Sequence, residues 1–219
     1  MQSVRVTLTA GLCLLFAAAC GYSAASAATL SVTVQQSDGT PLSGAVVTVK
    51  SLSRNVPAEP LAHAIMDQVN EAFAPEILVV PVGSIVSFPN SDSISHQVYS
   101  FSPAKRFQLP LYRGRPYPPE HFDTPGIVTV GCNIHDSMVG YVYVTDASHY
   151  GQISTASGWS RELPAGNYEV SIWHPRLRDP VSAMTRQVRL MNDDVTVAFK
   201  LASSARPAPL QSKAKKWDY

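Results

Sequence analysis

Cysteine is scarce in this 219-residue sequence: Cys13, Cys20 and Cys132 are all it has, and the first two fall in an N-terminal leader. A single remaining thiol excludes an internally disulfide-stapled scaffold. Charge of one sign is lacking too. Lys and Arg number 17 against 16 Asp and Glu, a net charge of +1, so nothing draws the chain to nucleic acid or to an anionic membrane surface. Helical periodicity is sparse and no internal repeat recurs. Paired catalytic carboxylates, a Ser/His/Asp set and a second metal cluster are missing, which argues against an enzyme, and the lack of a Met- or His-rich acquisition segment argues against a metal carrier.

Long apolar runs are missing after the first 20 residues. Arg5 is the sole charge before V-T-L-T-A-G-L-C-L-L-F-A-A-A-C, which is too short and Ala-rich for a membrane span, and small residues ending in A-S-A (Ala25 to Ala27) follow it. A positive start, an apolar stretch and an A-x-A site read as a secretory signal peptide over residues 1–27. A lipid anchor on Cys20 is the rival reading, weakened by the absence of Leu three residues before that cysteine.

What remains, about 190 residues, is enough for one large or two small domains. Val, Thr, Ser, Pro and Gly are plentiful. Short β-branched or alternating runs (L-S-V-T-V, A-V-V-T-V, I-L-V-V, I-V-S-F, H-Q-V-Y-S-F, I-V-T-V, G-Y-V-Y-V, Y-E-V-S-I-W, V-T-V-A-F) are separated by D-G, P-N, P-G, A-G and N-D-D turn signals. Many short strands at this spacing predict an all-β sandwich or barrel. Two segments read as weak helix candidates: Asp67 to Phe73, and a turn near Pro118 to Phe122.

The surroundings of Cys132 carry the chemistry. In V-G-C-N-I-H-D-S-M-V-G-Y-V-Y-V, Cys132, His135 and Met138 recur every three residues between two strand-like runs. Thiolate, imidazole and thioether together select copper over magnesium, calcium or manganese. A trigonal site of two histidines and one cysteine, with a weak axial methionine, needs one more histidine, and His96 opens the upstream run H-Q-V-Y-S-F. An inert core thiol, a surface histidine at 96 and a packing role for Met138 are the plainer alternatives. Met66 reads as core. His63, His121, His149 and His174 lack ligand spacing and read as surface or structural residues. Around the ligands, Asn90, Asp92, Gln97, Asn133 and Asp136 are candidates to orient them, Asn90 and Gln97 foremost.

The stretches G-S-I-V-S-F-P-N-S-D-S-I-S-H-Q-V and G-C-N-I-H-D-S-M-V-G-Y-V-Y-V resemble the cupredoxins of the plastocyanin type. A-I-M-D-Q-V-N, Y-S-F-S-P-A-K-R-F-Q-L-P-L-Y and C-N-I-H-D-S-M resemble the bacterial methylamine-utilisation-protein-like subfamily. The resemblance spans roughly Leu61 to Asp146. It implies a Greek-key β-sandwich holding one copper ion, with His96, Cys132 and His135 as equatorial ligands and Met138 as the axial one. It also implies outer-sphere electron transfer with redox partner proteins through the edge of His135, past a docking patch of Ile134, Met138, Val139 and Pro89. The two residues between His135 and Met138 are fewer than plastocyanin-like loops carry. The H-x-x-M spacing is closer to the copper loop of cytochrome oxidase subunit II, whose binuclear centre needs two cysteines, so a mononuclear site is expected.

The flanks resemble a different family. T-L-S-V-T-V-Q-Q-S-D-G-T-P-L-S-G-A-V-V-T-V-K and S-G-W-S-R-E-L-P-A-G-N-Y-E-V-S-I-W-H-P are similar to carboxypeptidase-regulatory-like, or transthyretin-like, β-modules. The implied organisation is discontinuous: residues 28–57 with 147–201 form one small sandwich, 58–146 the copper domain inserted in it, and 202–219 a flexible tail. R-Q-V-R-L-M-N-D-D-V-T-V-A-F-K-L reads as a hairpin turning at Asn192 to Asp194. The expected protein is a monomeric, periplasmic electron carrier without a membrane span after cleavage. A copper carrier or homeostasis protein, and a metal-free envelope binding module, remain the other readings.

Overall fold

The computed structural model describes residues 27–54, 56, 63–114, 117–154 and 157–206. The leader over 1–27, Cys20, the domain boundary near residue 58 and the tail beyond Arg206 lie outside them, apart from Ala27. In chain order the strands are β1 (Ala27–Gln35) and β2 (Val46–Ser51); β3 (Ala64–Ile65), β4 (Asp67–Val69), β5 (Ala72–Ala74), β6 (Ile77–Pro81), β7 (Ser84–Ser87), β8 (His96–Ser102), β9 (Lys105–Tyr112), β10 (Glu120–Phe122), β11 (Gly126–Cys132) and β12 (His135–Thr145); then β13 (His149–Gln152), β14 (Trp159–Pro164), β15 (Gly166–Trp173), β16 (Thr185–Leu190) and β17 (Val195–Lys200). One 3-10 turn, Val181–Met184, is the helical element among the described residues. No helix among them is long and apolar enough to cross a membrane.

The protein is all-β, as the alternation of its sequence requires. Two cores with no shared member organise the strands. The first is built by β1, β2 and the strands after residue 149, and includes Leu30, Val32, Val47, Val49, Val170, Leu190 and Phe199. Its sheets run β14-β1-β17 and β13-β2-β15-β16. The second is built wholly from residues 64–144, and includes Met66, Phe88, Val98, Phe122, Val130, Cys132, Met138 and Val142. It lies between the sheets β10-β7-β3 and β6-β12-β11-β8-β9. The two units touch through the outer face of β12. The Trp173 ring lies 5.6 Å from Tyr141 and 5.3 Å from Tyr143, and Gln152 Nε2 donates to the Ile77 carbonyl at 3.3 Å. Val46 and Thr48 alternate with the core-facing Val47 and Val49 and are buried as well, so β2 is covered on both faces.

Three sequence expectations are overturned. Asp67 to Phe73 is a hairpin, β4–β5, with a two-residue turn at Asn70 and Glu71. Both turn residues have positive φ, 53° and 57°, the backbone that a tight hairpin demands; the composition is compatible with a helix, but Asp92 captures the turn's main-chain N–H groups instead. The segment ending at Phe122 contributes β10, paired with β7, because Phe122 fills the second core. Residues 185–200 are not a hairpin. β16 pairs with β15, whereas β17 runs parallel to β1 in the other sheet; Leu190 and Phe199 thereby enter the first core from opposite sheets. Of the expected tail, residues 202–206 are tied down: the Ala205 N–H donates to Gln36 Oε1 and the Arg206 N–H to the Arg176 carbonyl, both at 3.0 Å.

Two stability predictions follow from the packing. A Cβ at Gly140 of β12 would stand 2.9 Å from Phe73 Cβ on β5, so Gly140→Ala must lift the hairpin off the sheet. An overpacking loss of about 1–3 kcal/mol is expected, read as a lower urea midpoint at unchanged slope. His174 is 4% exposed and accepts the Arg176 N–H at Nδ1. Burial, reinforced by the Arg176 charge, pushes its pKa down from 6.5 to about 4. The unfolded chain thus binds this proton more readily, so the contribution to stability is complete above about 6.5 and is lost as pH falls toward 4. The urea midpoint should drop over that window, and His174→Gln should flatten the drop; an unchanged slope in the variant would refute the assignment.

Candidate metal centre

The site is assembled from the end of β11, the starts of β8 and β12, and the loop before β8. β11 and β12 pair in even register from Gly126↔Val144 to Gly131↔Val139, and then Cys132 pairs with His135. Three extra residues of β12, 136–138, are therefore accommodated at this end, and the two-residue link Asn133–Ile134 turns the chain so that Cys132 and His135 face one point. β8 runs beside β11 through Gly131↔Tyr99. An irregularity between His96 and Val98 in its pairing with β9 leaves His96, Gln97 and Val98 all buried.

One nitrogen from each of His96 and His135 and the sulfur of Cys132 lie within 4.8 Å of one another. His96 Nδ1 is 3.2 Å from His135 Nδ1, and Cys132 Sγ is 3.7 Å from His135 Nδ1. Nitrogen and sulfur donors bound at about 2.0 and 2.3 Å, at angles between tetrahedral and trigonal, stand about 3.3–3.5 Å (N···N) and about 3.5–3.7 Å (N···S) apart. Two of the three donor separations thus match a single d-block ion, the third lies within 4.8 Å, and two imidazoles with a thiolate suit copper or zinc rather than a hard cation. Met138 is 1% exposed and belongs to the same core cluster as Cys132.

Burial is graded across the site. His96 is fully buried and Cys132 is 3% exposed, while His135 is half-buried and its neighbour Ile134 is 52% exposed. Val139 is also exposed. Met138 is not, so the apolar rim expected from the sequence loses that member: its side chain packs inward with Val142 and Phe88. His63 bonds to Ser87 Oγ, and the buried His174 accepts the Arg176 N–H.

The ligand candidates are held from behind. The Gln97 N–H points at Cys132 Sγ at 3.4 Å, a main-chain donor of the kind that stabilises a thiolate. Asn90 Nδ2 donates to the carbonyls of Ile94 and Tyr112 at 3.0 and 2.9 Å, and its Oδ1 accepts the Asp92 N–H. Sequence reasoning singled out Asn90 for this loop, and Gln97 acts through its backbone. Two further partners, Gln68 and Tyr112, carry no signal in the sequence, whereas Asp92 is among the candidates it offers. Gln68 of β4, fully buried, donates to the Pro89 carbonyl at 2.8 Å and to the Tyr112 hydroxyl; Tyr112 donates to the Phe88 carbonyl, and burial pushes its phenol up to about 12. Asp92 accepts from His96 Nε2 at 2.7 Å. Burial alone would raise its carboxyl, but the N–H of Glu71, the His96 ring and the N–H of Asn70 hold it below the ordinary range.

A metal that binds the folded chain alone adds RT ln(1 + [L]/Kd), about 2.7 kcal/mol at one hundred times Kd. Zn(II) should therefore raise the melting temperature of the wild type, and Cys132→Ser should abolish most of that rise. Equal rises in both proteins would remove Cys132 from the site.

No family model matches the chain, and no curated protein matches it. Part of it is similar to a purple cupredoxin from Nitrosopumilus maritimus, at 27% identity and a TM-score of 0.34, over 39% of this chain and 100% of that one. It is also similar to a copper-containing nitrite reductase from Thermus scotoductus SA-01, at 24% identity and a TM-score of 0.36, over 52% of this chain and 28% of that one. The reduced state of an amicyanin mutant is similar at 20% identity and a TM-score of 0.35, over 45% of this chain and 99% of its own.

Proposed function

We propose that this chain is an exported, mononuclear copper protein that passes single electrons between redox partners of the periplasm or envelope. His96, Cys132 and His135 would hold the ion in one plane and Met138 would be its axial ligand. The observation that carries the reading is the convergence of two imidazole Nδ1 atoms and one thiol sulfur with metal-site spacing, in a chain whose described residues contain no other cysteine. When bound, copper supplies a one-electron couple. The protein's own residues would do the rest. His96 and Cys132 keep water from the inner side of the site, the Gln97 N–H stabilises the thiolate, and the clamped loop from Phe88 to Ile94 keeps the donors in place in both oxidation states. Small rearrangement is what outer-sphere transfer needs, and rigid supporting hydrogen bonds provide it.

His135 is the half-buried member of the three, so its edge would be the exit, with exposed Ile134 and Val139 beside it and Pro89 on the adjoining loop. A small apolar patch of this kind suits weak, short-lived redox encounters. The separate cores of residues 28–201 and 64–144 support a discontinuous arrangement, in which a transthyretin-like module carries the copper-binding unit as an insertion. Export rests on the leader sequence.

Cu(II)-loaded wild type should show an intense thiolate-to-copper absorption band and a matching EPR signal that bleach reversibly with reductant and are absent in Cys132→Ser. A wild type without the band, or a variant that retains it, would sink the proposal. Met138→Leu should preserve binding and shift the ratio of Cu(I) to Cu(II) affinities by about tenfold, about 59 mV for one electron; an unchanged potential would reduce Met138 to a packing residue.

A further inference from the structure

We propose that Asp92 is the positioning residue of this centre, coupling the turn of the β4–β5 hairpin to the donor atom of His96. The inference rests on the metal-site reading above and deepens it. Asp92 has a side chain 13% exposed, and three donors converge on it. The Asn70 N–H reaches Oδ1 at 2.6 Å, the Glu71 N–H reaches Oδ2 at 2.9 Å, and His96 Nε2 reaches Oδ2 at 2.7 Å.

An ionised carboxylate only accepts hydrogen bonds, so it holds the His96 proton on Nε2. The lone pair is then left on Nδ1, the nitrogen that faces His135 and Cys132. A carboxylate behind the ring also makes the imidazole a stronger donor, which favours the more highly charged metal state. The carboxylate is itself placed by backbone. Positive φ at Asn70 and Glu71 turns two successive N–H groups to the same side, where they embrace Asp92. The same junction is tied twice more, by Ser91 Oγ to Asp67 Oδ2 at 2.7 Å and by the Ser91 N–H to the Gln68 carbonyl at 3.1 Å. His96, the loop before it and the hairpin thus form one hydrogen-bonded unit, and the hairpin's conformation sets where Nδ1 points.

The first test needs no variant and no metal. In ¹⁵N-histidine NMR of the metal-free wild type above neutral pH, His96 should be the neutral Nε2–H tautomer with a slowly exchanging Hε2; an Nδ1–H tautomer would overturn the proposal. Asp92→Asn keeps the shape and one acceptor but removes the charge. It should retain copper, lower the Cu(II)-to-Cu(I) affinity ratio about tenfold, and so raise the potential by about 59 mV. A variant with wild-type spectrum and potential would equally overturn it, and should the variant not fold, the wild-type tautomer decides. The two proposals fail separately: a wild type with the Nε2–H tautomer but no copper–thiolate band contradicts the electron-transfer reading alone.

Discussion

The junction at which β11 and β12 part company with regular register is the constraint on which the site depends. Up to Gly131↔Val139 the two strands are an ordinary antiparallel ladder, and the following pair is Cys132↔His135. A regular continuation would place Cys132 opposite Met138 and send His135 into solvent. Accommodating three additional residues on one side instead puts a thiol and an imidazole against the same point, and leaves Met138 in the core. β12 can bear this irregularity because the rest of its length is secured. It pairs with β6 and β11 along its edges, its inner face fills the second core, and Tyr141 and Tyr143 meet Trp173 on its outer face.

Most of the buried polar groups around the centre have the partners that burial demands. His96, Gln68 and Asn90 are all buried. His96 Nε2, the Asn90 amide and Gln68 Nε2 have their partners in the loop before β8 or in β9, which offsets their desolvation and fixes the loop, whereas the buried Oε1 atoms of Gln68 and Gln97 have no partner among the described residues. An unpaired group here would cost about 1–3 kcal/mol, which makes the network a strong discriminator against other loop conformations.

Much of this was legible in the sequence. The nine β-branched runs are all strands, because alternation with period two is a local property that survives any tertiary arrangement. The recurrence of Cys132, His135 and Met138 in one short loop was visible for the same reason: neighbours in sequence share a turn. Where the reading failed, contacts distant in sequence decided. Asp67 to Phe73 has a composition compatible with a helix, yet Asp92, more than twenty residues later, binds the turn N–H groups of Asn70 and Glu71. The segment from Arg186 to Leu201 looked like a hairpin, yet parallel pairing of β17 with β1 takes its second half to another sheet. The resemblance puts Met138 on an exposed rim, but it lies within β12 and is buried in the second core.

By itself, then, the amino-acid sequence determined that the chain is all-β, which short runs become strands, and which residue types at 96, 132, 135 and 138 are able to take a soft metal. These are matters of side-chain chemistry and local periodicity. Tertiary structure alone decided that His96 Nδ1 comes within 3.2 Å of His135 Nδ1, that Asp92 stands behind the His96 ring, and that strands far apart in the chain share each core. Those outcomes depend on sheet pairing and loop closure across dozens of residues, and such long-range contacts leave no periodic signature in the chain.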